Sequence, residues 1–127
     1  MTALRTPLKM VRGLGSAKSG TDHFVLQRVT GAANMVLTAF LVYAALHLVG
    51  ASRAEVKEFF SQPWAAILGI LFALSASIHM RTGMQVIIED YVHGGGKVLI
   101  LLLLNTFFSL SVGAAIFLAV IKLFIGV

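Results

Sequence analysis

Three long apolar runs, separated by short polar stretches, dominate the pattern along the 127-residue chain. The runs span about residues 30–49, 64–89 and 98–125. Each contains about 20 residues or more, which at 1.5 Å per helical residue is enough to cross a hydrocarbon core of ~30 Å. The pattern therefore predicts an all-α integral membrane protein with three transmembrane helices.

The polar stretches predict how the chain is organised around these helices. Residues 1–28 form a basic amino-terminal segment, and residues 29–127 form the three-helix membrane domain. No apolar stretch of signal-peptide length follows the first basic residue, so we expect no cleavable signal peptide. The charged connector 50–63 allows one or two helical turns at the membrane interface. Three glycines at 94–96 favour a turn before the third run.

The composition excludes several classes of protein. Hydrophobic residues make up 58% of the chain, and a core of this size could not bury such long apolar runs in a water-soluble globule. The chain has no Cys, which excludes disulfides, thiolate metal sites and a cysteine nucleophile. Histidine is therefore the strongest available ligand for a soft metal.

The net charge of +5 indicates membrane topology rather than binding to nucleic acid. Three crossings put the termini on opposite sides. If the amino terminus is inside, seven basic residues lie on the inner side, namely Arg5, Lys9, Arg12, Lys18, Arg28, Arg81 and Lys97. Three lie on the outer side, namely Arg53, Lys57 and Lys122. We therefore expect a cytoplasmic amino terminus and a periplasmic carboxyl terminus.

His79 is the main chemical candidate, because an ionisable residue inside a membrane span is costly and marks a functional site by default. It lies about 16 Å from the inner end of the second run, and Asp90 falls within about 20° of the same helix face if the helix persists. One turn away on either side of His79, the neighbours are the small residues Ser75, Ala76, Thr82 and Gly83. They leave a recess for a planar macrocycle, so His79 is a candidate axial haem ligand. A histidine that only hydrogen-bonds a neighbouring helix fits the same pattern.

The chain does not supply an obvious second axial ligand. His47, in the first run, differs from His79 in membrane depth by roughly 9 Å. It is better interpreted as a residue of the outer interface. A second ligand is therefore expected from another subunit, and three helices offer too little surface to enclose a haem alone.

Other polar residues at the membrane boundary have ordinary structural interpretations. Tyr91 suits an aromatic belt, and Asp90 suits a solvated helix end. Arg28, with His23 upstream of it, suits a positive-inside anchor. Arg81 lies deeper, about 200° around the helix from His79, where it either snorkels or meets an anionic group on a partner. On the third run, small residues recur every four positions and predict close helix packing; they are Ser111, Ala115 and Ala119, and also Ser109 and Gly113.

The sequence around these residues resembles that of one protein family. The stretch from His79 to His93, with Asp90 and Tyr91 at its end, resembles the second helix of the hydrophobic membrane anchor of succinate dehydrogenase. The stretch Gly20–Thr30 resembles the first-helix start of that anchor, and 101–108 resembles its alphaproteobacterial or mitochondrial type. The resemblance covers about residues 13–122, and its most specific feature is the spacing from His79 to Asp90 and Tyr91.

The resemblance implies the following roles. His79 would be an axial ligand of haem b, with the second ligand from a second membrane-anchor subunit. Tyr91 would hydrogen-bond a ubiquinone carbonyl, and Asp90 would order that site. Arg28 and His23 would face the haem propionates.

The resemblance also implies an assembly. The chain would be the hydrophobic membrane-anchor subunit of succinate:ubiquinone oxidoreductase in the cell inner membrane, with a second membrane-anchor subunit, an iron–sulfur subunit and a flavoprotein subunit as partners. Electrons from succinate would reach ubiquinone at the cytoplasmic face. Two alternatives stay open at this point: the anchor of a fumarate reductase that uses menaquinone, and a small non-redox scaffold or accessory subunit whose His79 only packs helices.

Overall fold

The computed structural model describes residues 7–11 and 20–126, and this part of the chain is helical with no strand. Its helices are α1 (Pro7–Val11), α2 (Gly20–Leu48), α3 (Arg53–Ser61), α4 (Pro63–Tyr91) and α5 (Gly95–Ile125). The all-α prediction is confirmed. Arg5, Arg12 and Lys18, which entered the charge count, lie outside the described residues.

The three long helices, α2, α4 and α5, correspond to the three predicted runs. They contain 29, 29 and 31 residues and are long and apolar enough to cross a membrane. At 1.5 Å per residue each is longer than 40 Å, roughly, so its ends extend beyond a hydrocarbon core of ~30 Å. The prediction of three candidate membrane spans is confirmed.

Two of these helices begin earlier than the apolar runs. Helix α2 starts at Gly20, well before Thr30, because residues 21–29 contain no Gly or Pro, and Asp22 in the first turn complements the helix dipole. Helix α5 starts at Gly95, so two of the three glycines lie in its first turn. The break between α4 and α5 is confined to the residues around Gly94, whose φ of +107° favours glycine.

Helix α3 fills most of the connector between α2 and α4. Its nine residues exceed the one or two turns predicted, because Ser52 and Glu55 form a capping box at its amino terminus. Pro63 at the first position of α4 then starts the next helix. Lys57 donates a hydrogen bond to the Gly126 carbonyl at 2.7 Å, which ties α3 to the end of α5.

Helix α4 packs against both α2 and α5. At the contact with α5, Ser109 is buried, and a Cβ at Gly113 would overlap the Oγ of Ser77. This pair of small residues packs closely, as predicted. The other small-residue series, Ser111, Ala115 and Ala119, is exposed on α5, so its close helix packing stays a prediction.

The two ends of the bundle differ in character. At one end, here called the Trp64 end, α2, α3 and α4 meet in an aromatic cluster of Phe40, Tyr43, Phe59 and Trp64, with ring centroids 5.4–6.5 Å apart. The opposite end, here called the Tyr91 end, holds the start of α2, the end of α4 and the start of α5. The candidate residues His23, Arg28, Asp90 and Tyr91 lie at the Tyr91 end.

Candidate functional site

His79 lies in the contact between α4 and α2. The Oγ1 of Thr30 is 3.1 Å from its Nδ1, and the amide nitrogen of Gln27 is 3.5 Å from its Nε2. A Cβ placed on Gly31 would lie 3.3 Å from the ring Cε1, so the imidazole lies directly against the α2 backbone. This close approach favours glycine at position 31, because a Cβ there would make the ring shift by a few tenths of an ångström.

A second set of contacts holds Gln27 beside the imidazole. The Thr82 hydroxyl donates a hydrogen bond to the Gln27 Oε1. A Cβ at Gly83 would lie 3.0 Å from the Gln27 amide nitrogen. Thr82 and Gly83, two of the small residues that flank His79 in the sequence, therefore accommodate an α2 side chain in this chain.

A cavity of about 320 Å³ opens next to this cluster, towards the Tyr91 end. Gln27 and Thr82 form its deep side, and His23 and Arg28 lie on its α2 wall. The Cζ of Arg28 is 5.0 Å from the centre of the Phe24 ring, a cation–π distance that holds the guanidinium near the cavity. The structure thus brings His23 and Arg28 to the same cavity that Gln27 lines beside His79.

Tyr91 and Asp90 lie elsewhere, at the end of α4. Tyr91 is 78% exposed, and Asp90 is exposed as well. The helix persists from His79 to both residues, which was the condition for placing His79 and Asp90 on nearly the same face. Neither residue lines the cavity next to Gln27. Both side chains instead lie on the outer surface of the Tyr91 end.

The remaining polar candidates within the spans point away from His79. Arg81 faces α5, where its Nε donates to the Thr106 hydroxyl at 3.3 Å. His47 is at the Trp64 end, stacked on Tyr43 at 5.8 Å, and lines a different cavity of about 440 Å³. Its position agrees with the expectation that His47 does not share a ligand site with His79.

Sequence reasoning missed the α2 half of the site. Gln27, Thr30 and Gly31 were noticed only as part of the first helix or of the family resemblance, not as neighbours of His79. Their spacing of three and four residues places them on one helix face, and a polar and small stripe on an apolar helix is a signal for close contact with another helix. The partner of that stripe could not be named without the fold.

The chemistry available at the site is that of one imidazole on a hydrophobic helix pair. Within residues 7–11 and 20–126, no group of three or more His, Cys, Asp or Glu side chains could hold a metal ion. An isolated imidazole suits a metal whose other ligands come from a macrocycle or from another chain. An anion-binding arginine next to an apolar cavity suits an amphipathic anionic cofactor.

Comparison with known proteins gives a consistent result. Residues 2–125 match the family described as succinate dehydrogenase/fumarate reductase transmembrane subunit. The chain is similar to the succinate dehydrogenase hydrophobic membrane anchor subunit of Paracoccus denitrificans, with 33% identity over 92 residues that cover 72% of this chain and 71% of the relative. It is also similar to the protein of that name from Rickettsia bellii (strain RML369-C), with 30% identity over 88 residues, 69% of this chain and 70% of the relative. No solved structure matches.

Proposed function

Since the chain belongs to the succinate dehydrogenase/fumarate reductase transmembrane subunits, as a succinate dehydrogenase hydrophobic membrane anchor, we propose that it shares haem b and a ubiquinone-reduction site with a second membrane subunit. The observation that carries the proposal is the position of His79. Its imidazole lies in the contact between α2 and α4, and Gln27 beside it lines a cavity that also contains Arg28 and His23. This arrangement supports one half of a haem site that a partner completes.

The residues that line the cavity, together with His79 behind Gln27, carry groups that fit a haem. His79 would bind the iron, while Arg28 and His23 would pair with the propionates, because both can donate hydrogen bonds to carboxylates. Phe24 and Val86 supply apolar wall to the same cavity. When bound, haem b supplies a redox centre that accepts and gives one electron at a time. The second axial ligand would come from the partner anchor, since His47 lies at the Trp64 end.

The quinone site is proposed at the Tyr91 end. A tyrosine hydroxyl is a hydrogen-bond donor, and the exposed position of Tyr91 leaves its hydroxyl free to bond a quinone carbonyl. Asp90, next to it, would order the site. Because both side chains are exposed in this chain, partner subunits would form the rest of the site.

The proposed partners follow from the reaction. Succinate oxidation needs a flavoprotein subunit and an iron–sulfur subunit, and these would dock on the cytoplasmic side of the inner membrane at the Tyr91 end. The positive-inside count supports that orientation, with seven basic residues on the amino-terminal side against three on the other. Electrons would then reach ubiquinone at the same membrane face as Tyr91.

The test is purification of the complex through a tag on this chain in mild detergent. We expect a second membrane subunit and two soluble subunits to copurify, and the reduced-minus-oxidised optical spectrum to show a b-type haem. His79→Leu should remove or alter that spectrum. His47→Leu is the matched control, because the same change at the Trp64 end should leave the spectrum intact.

Three results would count against the proposal. An unchanged spectrum in His79→Leu would mean that His79 is not the ligand. A folded, monodisperse chain isolated without partners and without haem would favour a non-redox scaffold. Turnover that requires menaquinone and runs towards succinate would favour a fumarate reductase anchor.

A further inference from the structure

The hydrogen bond between Thr30 and His79 concerns how the imidazole is held, and its interpretation rests on the proposed function of His79. We propose that Thr30 is a positioning residue: its hydroxyl accepts the Nδ1 proton of His79, which sets the plane of the ring and leaves a lone pair on Nε2. That lone pair would bind haem iron in place of its contact with Gln27. Nothing in the family resemblance assigns a role to Thr30.

The single proton of the Thr30 hydroxyl is donated within α2. The Oγ1 lies 2.7 Å from the Leu26 carbonyl oxygen, one turn earlier in α2, and 3.1 Å from the His79 Nδ1. The shorter contact is the usual bond of a helical threonine to the carbonyl four residues before it. Since the proton is donated there, Oγ1 offers only lone pairs to the imidazole. The bonded Nδ1 therefore carries a proton.

The contacts of the other ring nitrogen agree with this assignment. A neutral imidazole has one ring proton, so a protonated Nδ1 leaves a lone pair on Nε2. The group nearest to Nε2 is the amide nitrogen of Gln27, at 3.5 Å, and an amide NH₂ can only donate. Gln27 is held in this orientation because its Oε1 accepts from the Thr82 hydroxyl. Both sides of the ring thus select the tautomer that a haem ligand needs.

The backbone around Thr30 makes the hydroxyl a fixed acceptor. Thr30 is only 6% exposed, and its carbonyl accepts a hydrogen bond from the Ser75 hydroxyl at 3.3 Å, one turn before His79 on α4. Gly31 lets the ring edge approach the α2 backbone. The imidazole is therefore held by α2 at one nitrogen and along one edge, and its plane cannot turn without breaking these contacts.

This arrangement predicts an effect on the bound haem. A ligand imidazole that donates its second N–H to an acceptor is a stronger donor to the metal, and such partners typically contribute 10- to 100-fold to metal affinity, roughly. A stronger donor favours the ferric state, so loss of the acceptor should make the haem midpoint potential more positive.

The experiment compares Thr30→Val, Thr30→Ser and the control Thr38→Val in the purified complex. Thr38 is an exposed threonine on the same helix. We expect Thr30→Val to shift the haem midpoint potential to more positive values, to change the low-spin ferric EPR signal, and to weaken haem retention by about 10-fold or more. Thr30→Ser keeps the hydroxyl and should stay close to the unsubstituted complex. Thr38→Val should be unchanged.

The outcomes separate this inference from the proposed function. If His79→Leu keeps its haem, the proposed function fails first. If His79→Leu loses haem while Thr30→Val keeps the same potential and EPR signal, the proposed function stands and the role of Thr30 is overturned. A Thr30→Ser variant that deviates as far as Thr30→Val also overturns it, because a retained hydroxyl would then not preserve the properties of the haem.

A variant that fails to assemble does not end the test. Thr30→Ala replaces Thr30→Val in that case, because it removes the hydroxyl without adding a methyl group against Nδ1. If neither assembles, the unsubstituted complex is labelled with ¹⁵N-histidine, and electron-nuclear double resonance is used to look for an exchangeable proton on the Nδ1 of His79. A proton on Nδ1 that is hydrogen-bonded supports the inference, and a bare Nδ1 or a proton without a hydrogen bond overturns it.

Discussion

At the residue scale, several polar side chains inside the helices are hydrogen-bonded within the chain, whereas the buried Oδ1 of Asn34 has no partner among the described residues. The hydroxyls of Thr30 and Ser77 each donate to a carbonyl one turn earlier in their own helix, and the Thr82 hydroxyl donates to the Gln27 side chain on α2. Asn105 crosses from α5 to α4, where its amide donates to the Arg81 carbonyl at 2.9 Å. Hydrocarbon offers no hydrogen-bond partner, so an unpaired group would be costly there. These bonds let a very apolar chain carry polar residues at fixed positions.

Tyr91 allows a clear test at this scale. Tyr91→Phe keeps the ring but removes the hydroxyl, so the proposed quinone site loses a hydrogen bond of ~0.5–1.5 kcal/mol, or more if charge develops on the quinone oxygen. We expect quinone reduction to fall several-fold. Succinate oxidation with an artificial acceptor should be unaffected, because that assay bypasses the membrane site.

Tyr43→Phe is the matched control, since Tyr43 lies in the aromatic cluster at the Trp64 end. It should leave quinone reduction unchanged. A parallel fall of both activities in Tyr91→Phe would indicate a defect of assembly. No fall in either would make Tyr91 an aromatic-belt residue, and the quinone donor would have to be sought in a partner.

The sequence predicts the candidate residues on α4 better than those on α2. His79 stands out because an ionisable group in an apolar run is rare and costly. Thr30 and Gln27 do not stand out, since threonine and glutamine near the start of a membrane helix have many ordinary uses. Their role depends on which helix packs against which face, and that contact joins residues about 50 positions apart.

At the element scale, the packing of α4 against α5 depends on Gly113. A Cβ there would overlap the Ser77 Oγ and lie 3.0 Å from the Ser77 Cβ. Gly113→Ala should therefore force the helices apart and destabilise the assembled complex by ~1–3 kcal/mol, as overpacking typically does. Gly96→Ala is the control, because a Cβ at Gly96 meets nothing within 4 Å. The midpoint of thermal inactivation is measured for the purified complex with each substitution. Equal midpoints for Gly113→Ala and Gly96→Ala would show that the helix contact is not tight at Gly113.

The amino terminus of α3 predicts a dependence on pH. The Ser52 backbone N–H donates to the Glu55 carboxylate at 2.6 Å, and the Ser52 hydroxyl accepts from the Glu55 backbone N–H. Hydrogen bonding by Ser52, first of all from its backbone N–H, lowers the pKa of Glu55 below its ordinary 4.5. A depressed pKa means that the contribution of the carboxylate to α3 is present above 4.5 and is lost as the pH falls through the lowered value. Hydrogen exchange of α3 amides, corrected for intrinsic rates, should therefore show less protection at lower pH. Glu55→Ala should remove this pH dependence. Glu55→Gln keeps a capping-box acceptor, so it should retain the protection of the α3 amides but lose the pH dependence.

The apolar pattern predicts elements well and their ends less well. Three spans follow from hydropathy because hydrocarbon requires every backbone group to be paired within the helix. The start of α2 at Gly20 does not follow, because a polar helical turn outside the hydrocarbon has no hydropathy signal. The same holds for the length of α3, which depends on the Ser52 cap rather than on apolar residues.

At the scale of the whole molecule, many large apolar side chains are exposed along the three long helices. Large side chains such as Met35, Leu46 and Phe107 are each more than two-thirds exposed. Lipid can cover much of such a surface, and the exposed polar groups at the Tyr91 end are open to water, headgroups or other subunits. This division agrees with an anchor that contacts lipid along its length and other subunits at one end.

The orientation of the molecule can be tested with cysteine labelling, because the chain has no Cys of its own. Gly96→Cys places a thiol at the exposed Tyr91 end, and Ser61→Cys places one at the exposed Trp64 end. Because seven basic residues lie towards the Tyr91 end or before it and three towards the other, the Tyr91 end should face the cytoplasm. A membrane-impermeant maleimide added to intact cells whose outer membrane admits it should therefore label Ser61→Cys alone, and both positions should react once the inner membrane is opened. The reverse pattern would place Tyr91 on the periplasmic side, away from the soluble subunits, and the proposed quinone site would have to be abandoned.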